Sequence, residues 1–410
     1  MPPLSFHALD VPPGEAERRL GQARARGVPR WLWPELPVPL WRAATAEVVR
    51  AVAEGLAGRP AVLDAGGRIG AEALGIAAFL TGTGPLLGGW MERGALSADE
   101  HASALFALHL AHGRARAERI GRMTDAGLAA LAGAGVDAMV AKGMATAHTI
   151  FAEPGLRPMG DVDLVIRPGD VDAAERALKD AGFARRAGDY ERHPYHAGWQ
   201  PSRADDAVHS LSLLHRDNPL ELNLRDGFDR HTALGRIRLG WPGPGDAVPM
   251  PGVRTPARAL AGPFLVAHLA AHASEQRENL LLIRLAEIVL ALRAGTDPSA
   301  LQAFLRERRM AHRVYPAFAL AQRLAPDTVD PALMRFLADA AGPRLRQTVD
   351  ALDLAYLQRL DQPVAGGHAF AARGTADELR AALAWVVPFT SPGRLAQLYR
   401  TRLLRLFRVR

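Results

Sequence analysis

A change of texture about a third of the way along the chain limits the fold more than any other feature. Up to about residue 115, alanine- and leucine-rich runs repeat at helical spacing between Pro-rich breaks such as VPRWLWPELPVPLW (28–41). The run RARAERIGRMTDAGLAALAGAG predicts a helix that Gly133 and Gly135 end. Short β-type runs follow. VDAMVAKG (136–143) and DVDLVIRP (161–168) read as strands, and VDAAERALKDAGF (171–183) as a helix closed by Gly182. HSLSLLH (209–215) and PLELNLR (219–225) alternate apolar and polar residues around Arg216-Asp217-Asn218-Pro219, a hairpin pattern. From about residue 255 the helical pattern returns, as in GPFLVAHLAAHASEQRENLLLIRLAEIVLALR. The expectation is an α+β protein with a mixed-sheet core over 116–240, between an N-terminal helical region (1–115) and a C-terminal helical domain (241–410). A length of 410 residues, more than one core usually fills, agrees with several packed units.

The chemistry is sought in the middle unit. Asp161 and Asp163 flank Val162 in a run that continues Leu164-Val165-Ile166. Strand side chains alternate, so both carboxylates emerge on one face, roughly 7 Å apart at Cα, while Val162 and Leu164 turn to the core. Two carboxylates so placed repel unless a cation lies between them, and Mg²⁺, with Mn²⁺ as a substitute, suits oxygen ligands that share the ion with phosphates. Glu221 sits between Leu220 and Leu222 in PLELNLR; a strand placed beside the Asp161 strand would bring it to the same face as a third carboxylate. Lys142-Gly143 precedes Met144-Ala145-Thr146-Ala147. There a glycine permits close backbone approach and the first amides of a helix can meet phosphate. Lys142 and Arg157 are the nearest cations for that role. A solvated surface pair is the alternative for an isolated D-x-D; the ordered set of motifs makes the catalytic reading.

These residues resemble the polymerase-β-type nucleotidyltransferase superfamily, in its branch of bacterial uncharacterised nucleotidyltransferases. The matching positions are Ala141-Lys142-Gly143, Arg157, Asp161-Val162-Asp163-Leu164-Val165-Ile166 and Leu220-Glu221-Leu222-Asn223, with His268, His272 and Arg284-Leu285-Ala286-Glu287 in the helical flank. The resemblance implies transfer of a nucleoside monophosphate from an NTP to a hydroxyl acceptor, with pyrophosphate released. Asp161, Asp163 and Glu221 would be the catalytic and metal-binding carboxylates, and Lys142, Gly143, Met144 and Arg157 would contact the nucleotide. The acceptor is left open between a small molecule, tRNA and a protein hydroxyl. A catalytically silent nucleotide-binding module and a toxin-like transferase are the rival readings. Three positions depart from the pattern: Met144 supplies no hydroxyl, Asn223 stands where the branch often has histidine, and Glu287 where it often has aspartate.

Composition narrows the rest. With no cysteine, disulfides and thiolate chemistry are excluded. No basic segment leads into an apolar run near the start, and no stretch reaches the roughly 18 apolar residues of a membrane span, which predicts a soluble, cytoplasmic protein without stable membrane insertion. The net charge of +7 comes from 50 Lys+Arg against 43 Asp+Glu. Scattered arginines over so long a chain suit phosphate but also an ordinary surface. Aromatic residues make up only 6%, which argues against a stacking platform for single-stranded nucleic acid. Four further features are read as structural. AVLDAGGRIGAEALG (61–75) is taken as a loop and helix start rather than a dinucleotide site, because Arg68 replaces a glycine and no strand-helix alternation is expected after it. His268 and His272, four apart on one helical face, are taken as packing or domain-contact residues rather than zinc ligands. His193, His196 and His209 are taken as solvated loop histidines. The basic C-terminal run SPGRLAQLYRTRLLRLFRVR is taken as a docked helix, with an RNA or membrane surface as the alternative.

Overall fold

The computed structural model describes residues 13–26, 28–186, 196–203, 211, 215–232, 235–275 and 280–357. The C-terminal basic run, His193, His209 and most of 209–215 lie outside them. The N-terminal part opens with α1 (Pro13–Arg26) and α2 (Val38–Leu56), joined by the Pro-rich stretch whose Trp33, Leu36 and Trp41 are buried. Next come β1 (Ala61–Leu63), α3 (Arg68–Leu80), α4 (Gly84–Glu92) and β2 (Leu96–Ala98), with β2 returning parallel to β1. The glycine-rich run is therefore a loop into a helix, as expected. It also belongs to a small strand-helix-strand unit, an alternation that the residue pattern does not announce.

A 34-residue helix, α5 (Glu100–Gly133), links this part to the sheet. Asp99 caps it by accepting from the amide of Ala102 at 2.9 Å, satisfying one of the orphan donors of the first turn. The sheet elements follow as β3 (Met139–Ala141), α6 (Lys142–Thr149), β4 (Asp161–Val165), α7 (Val171–Asp180), β5 (Phe183–Arg185), β6 (His196–Pro201) and β7 (Glu221–Arg225). After a two-stranded ribbon of β8 (Arg230–Thr232) and β9 (Gly235–Ile237), β10 (Ala247–Pro249) and β11 (Arg258–Leu260) complete a seven-stranded mixed sheet of order β10-β11-β3-β4-β7-β6-β5. The sheet thus draws on chain beyond residue 240, and its supporting helix starts before residue 116.

One face of the sheet is apolar because alternate residues of β4, β7 and β6 are: Val162, Leu164, Leu222, Leu224 and Trp199 pack with Ile120, Met123, Leu128 and Leu131 of α5 and Leu178 of α7. At Gly127 a Cβ would come within 2.7 Å of Leu222 Cδ1, so a glycine there lets α5 lie directly on the centre of the sheet. On the opposite face Met139, Ala141 and Val165 join the large core built by the N-terminal helices and by α8 (Gly262–Glu275), α9 (Leu282–Arg293), α10 (Pro298–Glu307), α11 (Ala311–Leu324) and α12 (Pro331–Asp350). His268 is buried in that core with its ring edge-on to Phe228 at 5.6 Å, in keeping with a packing role. Among the described residues no single helix is long and apolar enough to cross a membrane.

The expected hairpin is corrected. The antiparallel neighbour of β7 is β6, with Trp199 opposite Leu222, while most of 209–215 lies outside the described residues. His196, read as a loop histidine, is the first residue of β6 and sits opposite Arg225.

Candidate active site

The polar half of the second sheet face is where the acidic residues meet. Strands β4 and β7 run parallel with Asp161 opposite Glu221, Asp163 opposite Asn223 and Val165 opposite Arg225. In-register residues share a face. The pairing therefore places the carboxylates of Asp161, Asp163 and Glu221 on one side of two adjacent strands, with Asn223 and Arg225 in the same rows. Strand β3 borders them on the other edge of β4, antiparallel, with Ala141 opposite Asp163. Lys142 follows at once and begins α6.

Each acidic side chain has a specific neighbour. Asp163 is only 4% exposed and is held between two cations: Lys142 Nζ at 2.9 and 3.0 Å from its two oxygens, and Arg225 Nε at 2.5 Å. Burial alone would raise its pKa, but Arg225 and then Lys142 outweigh that and hold the carboxyl well below the usual carboxylate range. Asp161 accepts a hydrogen bond from the Asn223 side-chain amide. Although the residue is exposed overall, its carboxyl is poorly hydrated among its neighbours; that, with the negative charge of Asp163, raises its pKa. Glu221 accepts from Arg186 Nη1 at 2.8 Å. The row thus contains one carboxylate neutralised twice over and one whose ionised form is disfavoured.

Lys142 is one of the few non-glycine residues with positive φ, 52°. A left-handed backbone costs an L-residue roughly 1–2 kcal/mol, and here it turns the chain from β3 into α6 while directing the ammonium back to Asp163. Gly143 next to it accommodates Arg157: a Cβ would lie 3.4 Å from the guanidinium carbon and 3.3 Å from Met159 Cγ. The Met144 side chain is buried in the core under the sheet, so at this position only the backbone is offered to a ligand. Arg157, expected as a phosphate contact, bonds Glu287 of α9 in a forked arrangement at 3.2 and 3.1 Å. Thr146 of α6 donates to the same carboxylate, which is fully enclosed at 2% exposure. Glu287 thereby ties the C-terminal helices to the turn and to Arg157.

Arg116 of α5 is absent from the residues that the sequence pattern singles out. Its guanidinium is buried and donates to five backbone carbonyls: Nε to Met159, Nη1 to His215 and Asn218, and Nη2 to Gly160 and Pro219. Burial lowers its pKa to about 10, which leaves it charged at neutral pH. A signal is present in the sequence: His112, Arg116, Ile120 and Met123 follow the helical spacing of the buried stripe of α5, so an arginine occupies a core position. Arg225 is likewise missed, although it lies four residues after Glu221 in a strand and so shares its face.

The fit to a divalent cation is divided. The donor type is right, three carboxylates on one face, and the raised pKa of Asp161 marks a position where added positive charge is favourable. As the side chains stand, no three acidic or histidine groups among the described residues converge on a common point, since Asp163 turns to Lys142 and Arg225 and Glu221 to Arg186.

Comparison with known proteins bears on the same region. No curated protein and no solved structure matches the chain. The family described as Uncharacterised nucleotidyltransferase matches residues 101–326, a span that runs from α5 through the sheet and beyond α11 and contains every candidate residue above. That span covers more than half of the sequence: the chain belongs to this family and is a nucleotidyltransferase.

Proposed function

We propose that the protein transfers a nucleoside monophosphate from a nucleoside triphosphate to a hydroxyl acceptor, with Asp161, Asp163 and Glu221 as the reactive carboxylates. The observation that carries this reading is the parallel register of Asp161 with Glu221, with Asp163 one pleat further on the same face and the Lys142-Gly143 turn beside it. Asp163, Glu221 and Asn223 are buried polar groups gathered on one half-face of the sheet, and their burial has no packing rationale.

In this reading the first amides of α6, at Gly143 and Met144, together with Lys142 and Arg157, receive the triphosphate. Glu221 takes the proton of the acceptor hydroxyl. The oxygen forms a bond to the α-phosphorus, the bond from that phosphorus to the oxygen bridging to the β-phosphate breaks, and pyrophosphate leaves. Mg²⁺ or Mn²⁺, held by Asp161 with Asp163 and Glu221, would supply positive charge to the phosphates. Lys142 and Arg225 have a second role here: with no nucleotide present they compensate Asp163, and the triphosphate offers them another anion. The acceptor is a small molecule, a tRNA end or a protein hydroxyl.

The test is label transfer and pyrophosphate release from each of the four α-labelled nucleoside triphosphates, with Mg²⁺ or Mn²⁺ and a cell extract as the acceptor source. Carboxylate-dependent labelling is expected, and the size of the labelled species identifies the acceptor class. Equal labelling by the Asp161→Asn, Asp163→Asn double variant would rule the reading out.

A further inference from the structure

Strands β4 and β7 come from distant parts of the chain, yet the proposed chemistry depends on Asp161 and Glu221 standing in register. The β-ladder between them does not explain by itself why both strands start level, because a parallel pair has no turn to set its register. The residues just before each strand supply what is missing. Met159 and Gly160 precede Asp161; Asn218 and Pro219 lie just before Leu220 and Glu221. The carbonyls of all four, with that of His215, point at one guanidinium.

We infer that Arg116 is a positioning residue which, through these five carbonyls, fixes the spacing and register of the Asp161 and Glu221 strands without touching a reactant. The proposal rests on the reading of the two carboxylates as reactive groups. The stoichiometry is complete: a guanidinium has five N–H groups, and each has one acceptor. The geometry is rigid, because the fork is planar and its donors are fixed relative to one another. Two acceptors lie on the chain leading into β4 and three on the chain leading into β7, so a shift of either strand breaks bonds to the same plane. The residue is anchored on α5, whose Gly127 packs on Leu222 of β7, so the clamp is referenced to the back of the sheet. Arg119, one turn further along α5, adds bonds to the carbonyls of Arg216 and Asn218 on the β7 side. Lysine would preserve the charge but offers three donors from a single point, too few to hold the starts of the two strands together.

The test uses the full chain with Arg116→Lys, Arg116→Gln and Asp161→Asn, of which the lysine variant keeps the buried charge in case the glutamine variant fails to fold. Amide hydrogen exchange is followed in peptides covering 159–166 and 215–225, with 311–324 of α11 as the internal reference, and pyrophosphate release is measured with each nucleoside triphosphate and cell extract. For Arg116→Lys the expected result is exchange about 10-fold faster or more in both strand segments, with the α11 peptide unchanged. A fall in kcat of about 100-fold is expected, with KM for the nucleotide within about 3-fold of wild type, because Arg157 is held by Glu287 and the backbone of Lys142 is carried by α6, neither of which Arg116 bonds. Unchanged exchange in the two segments would overturn the clamp. Faster exchange with wild-type kcat would overturn its link to catalysis. Wild-type activity in Asp161→Asn would sink the reading of the site, and the catalytic half of the inference with it, while the exchange measurement would still decide whether Arg116 sets the register.

Discussion

The ammonium of Lys142 lies 2.9 Å from the carboxylate of Asp163, and the residue that carries it adopts a left-handed backbone to get there. Charge and conformation at this position pull in opposite directions, and substitution can separate them. Lys142→Ala removes the ammonium and keeps the strained φ; Lys142→Gly removes both. With Arg225 still beside Asp163, loss of the ammonium is expected to destabilise by about 2 kcal/mol, below the roughly 3–5 of a buried charge left wholly alone. The glycine variant is expected to recover about 1 kcal/mol of that through its tolerance of positive φ. Urea denaturation of the three proteins reads both effects, and equal stability of the alanine and glycine variants would show that the turn is not strained.

Asn223 donates to Asp161, a carboxylate whose ionised form is disfavoured. Asn223→Ala removes one donor to Asp161 and is expected to lower label transfer about 10-fold, in the range of a single charge-assisted hydrogen bond. Asn223→Asp adds a fourth negative group and should reduce activity further, with part of the loss recovered at higher Mn²⁺ concentration. The comparison is made by titrating Mn²⁺ against labelling rate, and an aspartate variant as active as wild type at low Mn²⁺ contradicts it.

Glu287 of α9 joins the C-terminal helices to Thr146 of α6 and to Arg157. Glu287→Gln leaves Arg157 without its counter-ion while conserving volume, so the guanidinium is freed to move. Stability is expected to fall by roughly 3 kcal/mol, as for a broken buried pair. On the proposed function, in which Arg157 receives the triphosphate, KM for the nucleotide should rise more than kcat falls, because a group assigned to binding rather than to the reaction has been loosened. Thr146→Val removes only the hydroxyl from the same carboxylate and should cost about 1 kcal/mol with little change in KM.

Much of this arrangement is legible in the residue pattern. Period-2 alternation places Asp161 and Asp163 on one face of a strand, and the same rule, carried on from Glu221, reaches Asn223 and Arg225. Gly182 after α7 and Gly133 with Gly135 at the end of α5 mark real helix ends. The pattern misleads where pairing is non-local. The alternation in 209–215 resembles a hairpin partner for 219–225, but β7 pairs instead with β6, whose residues HAGWQP carry a weak strand signature because a glycine and a terminal proline interrupt it. The partners of Arg157 and Arg116 are hidden as well. A salt bridge to Glu287 spans 130 residues, and bonds to backbone carbonyls depend on chain path rather than on side-chain identity.

His196, opposite Arg225 in β6, gives the site a measurable pH signature. Burial, and then the adjacent Arg225, depress its pKa to about 4 from an ordinary 6.5; Lys142 acts in the same direction, while Asn223 and Asp163 partly oppose it. The folded protein therefore holds a neutral imidazole where the unfolded chain would bind a proton at about pH 6.5. The stability that depends on this neutrality is complete above pH 6.5 and declines as the pH falls toward 4, because protons go preferentially to the unfolded state. At about pH 4.5 the loss attributable to this one group should be on the order of 2 kcal/mol. His196→Gln, which cannot take the proton, should lack that component, so the gap between wild type and variant in urea-denaturation free energy should change by this amount between about pH 7.5 and about pH 4.5. The carboxylates common to both proteins cancel in the difference. Parallel pH profiles would mean that the imidazole is as accessible to protons in the folded protein as in the unfolded chain, and that the polar half-face is open to water rather than enclosed around Asp163.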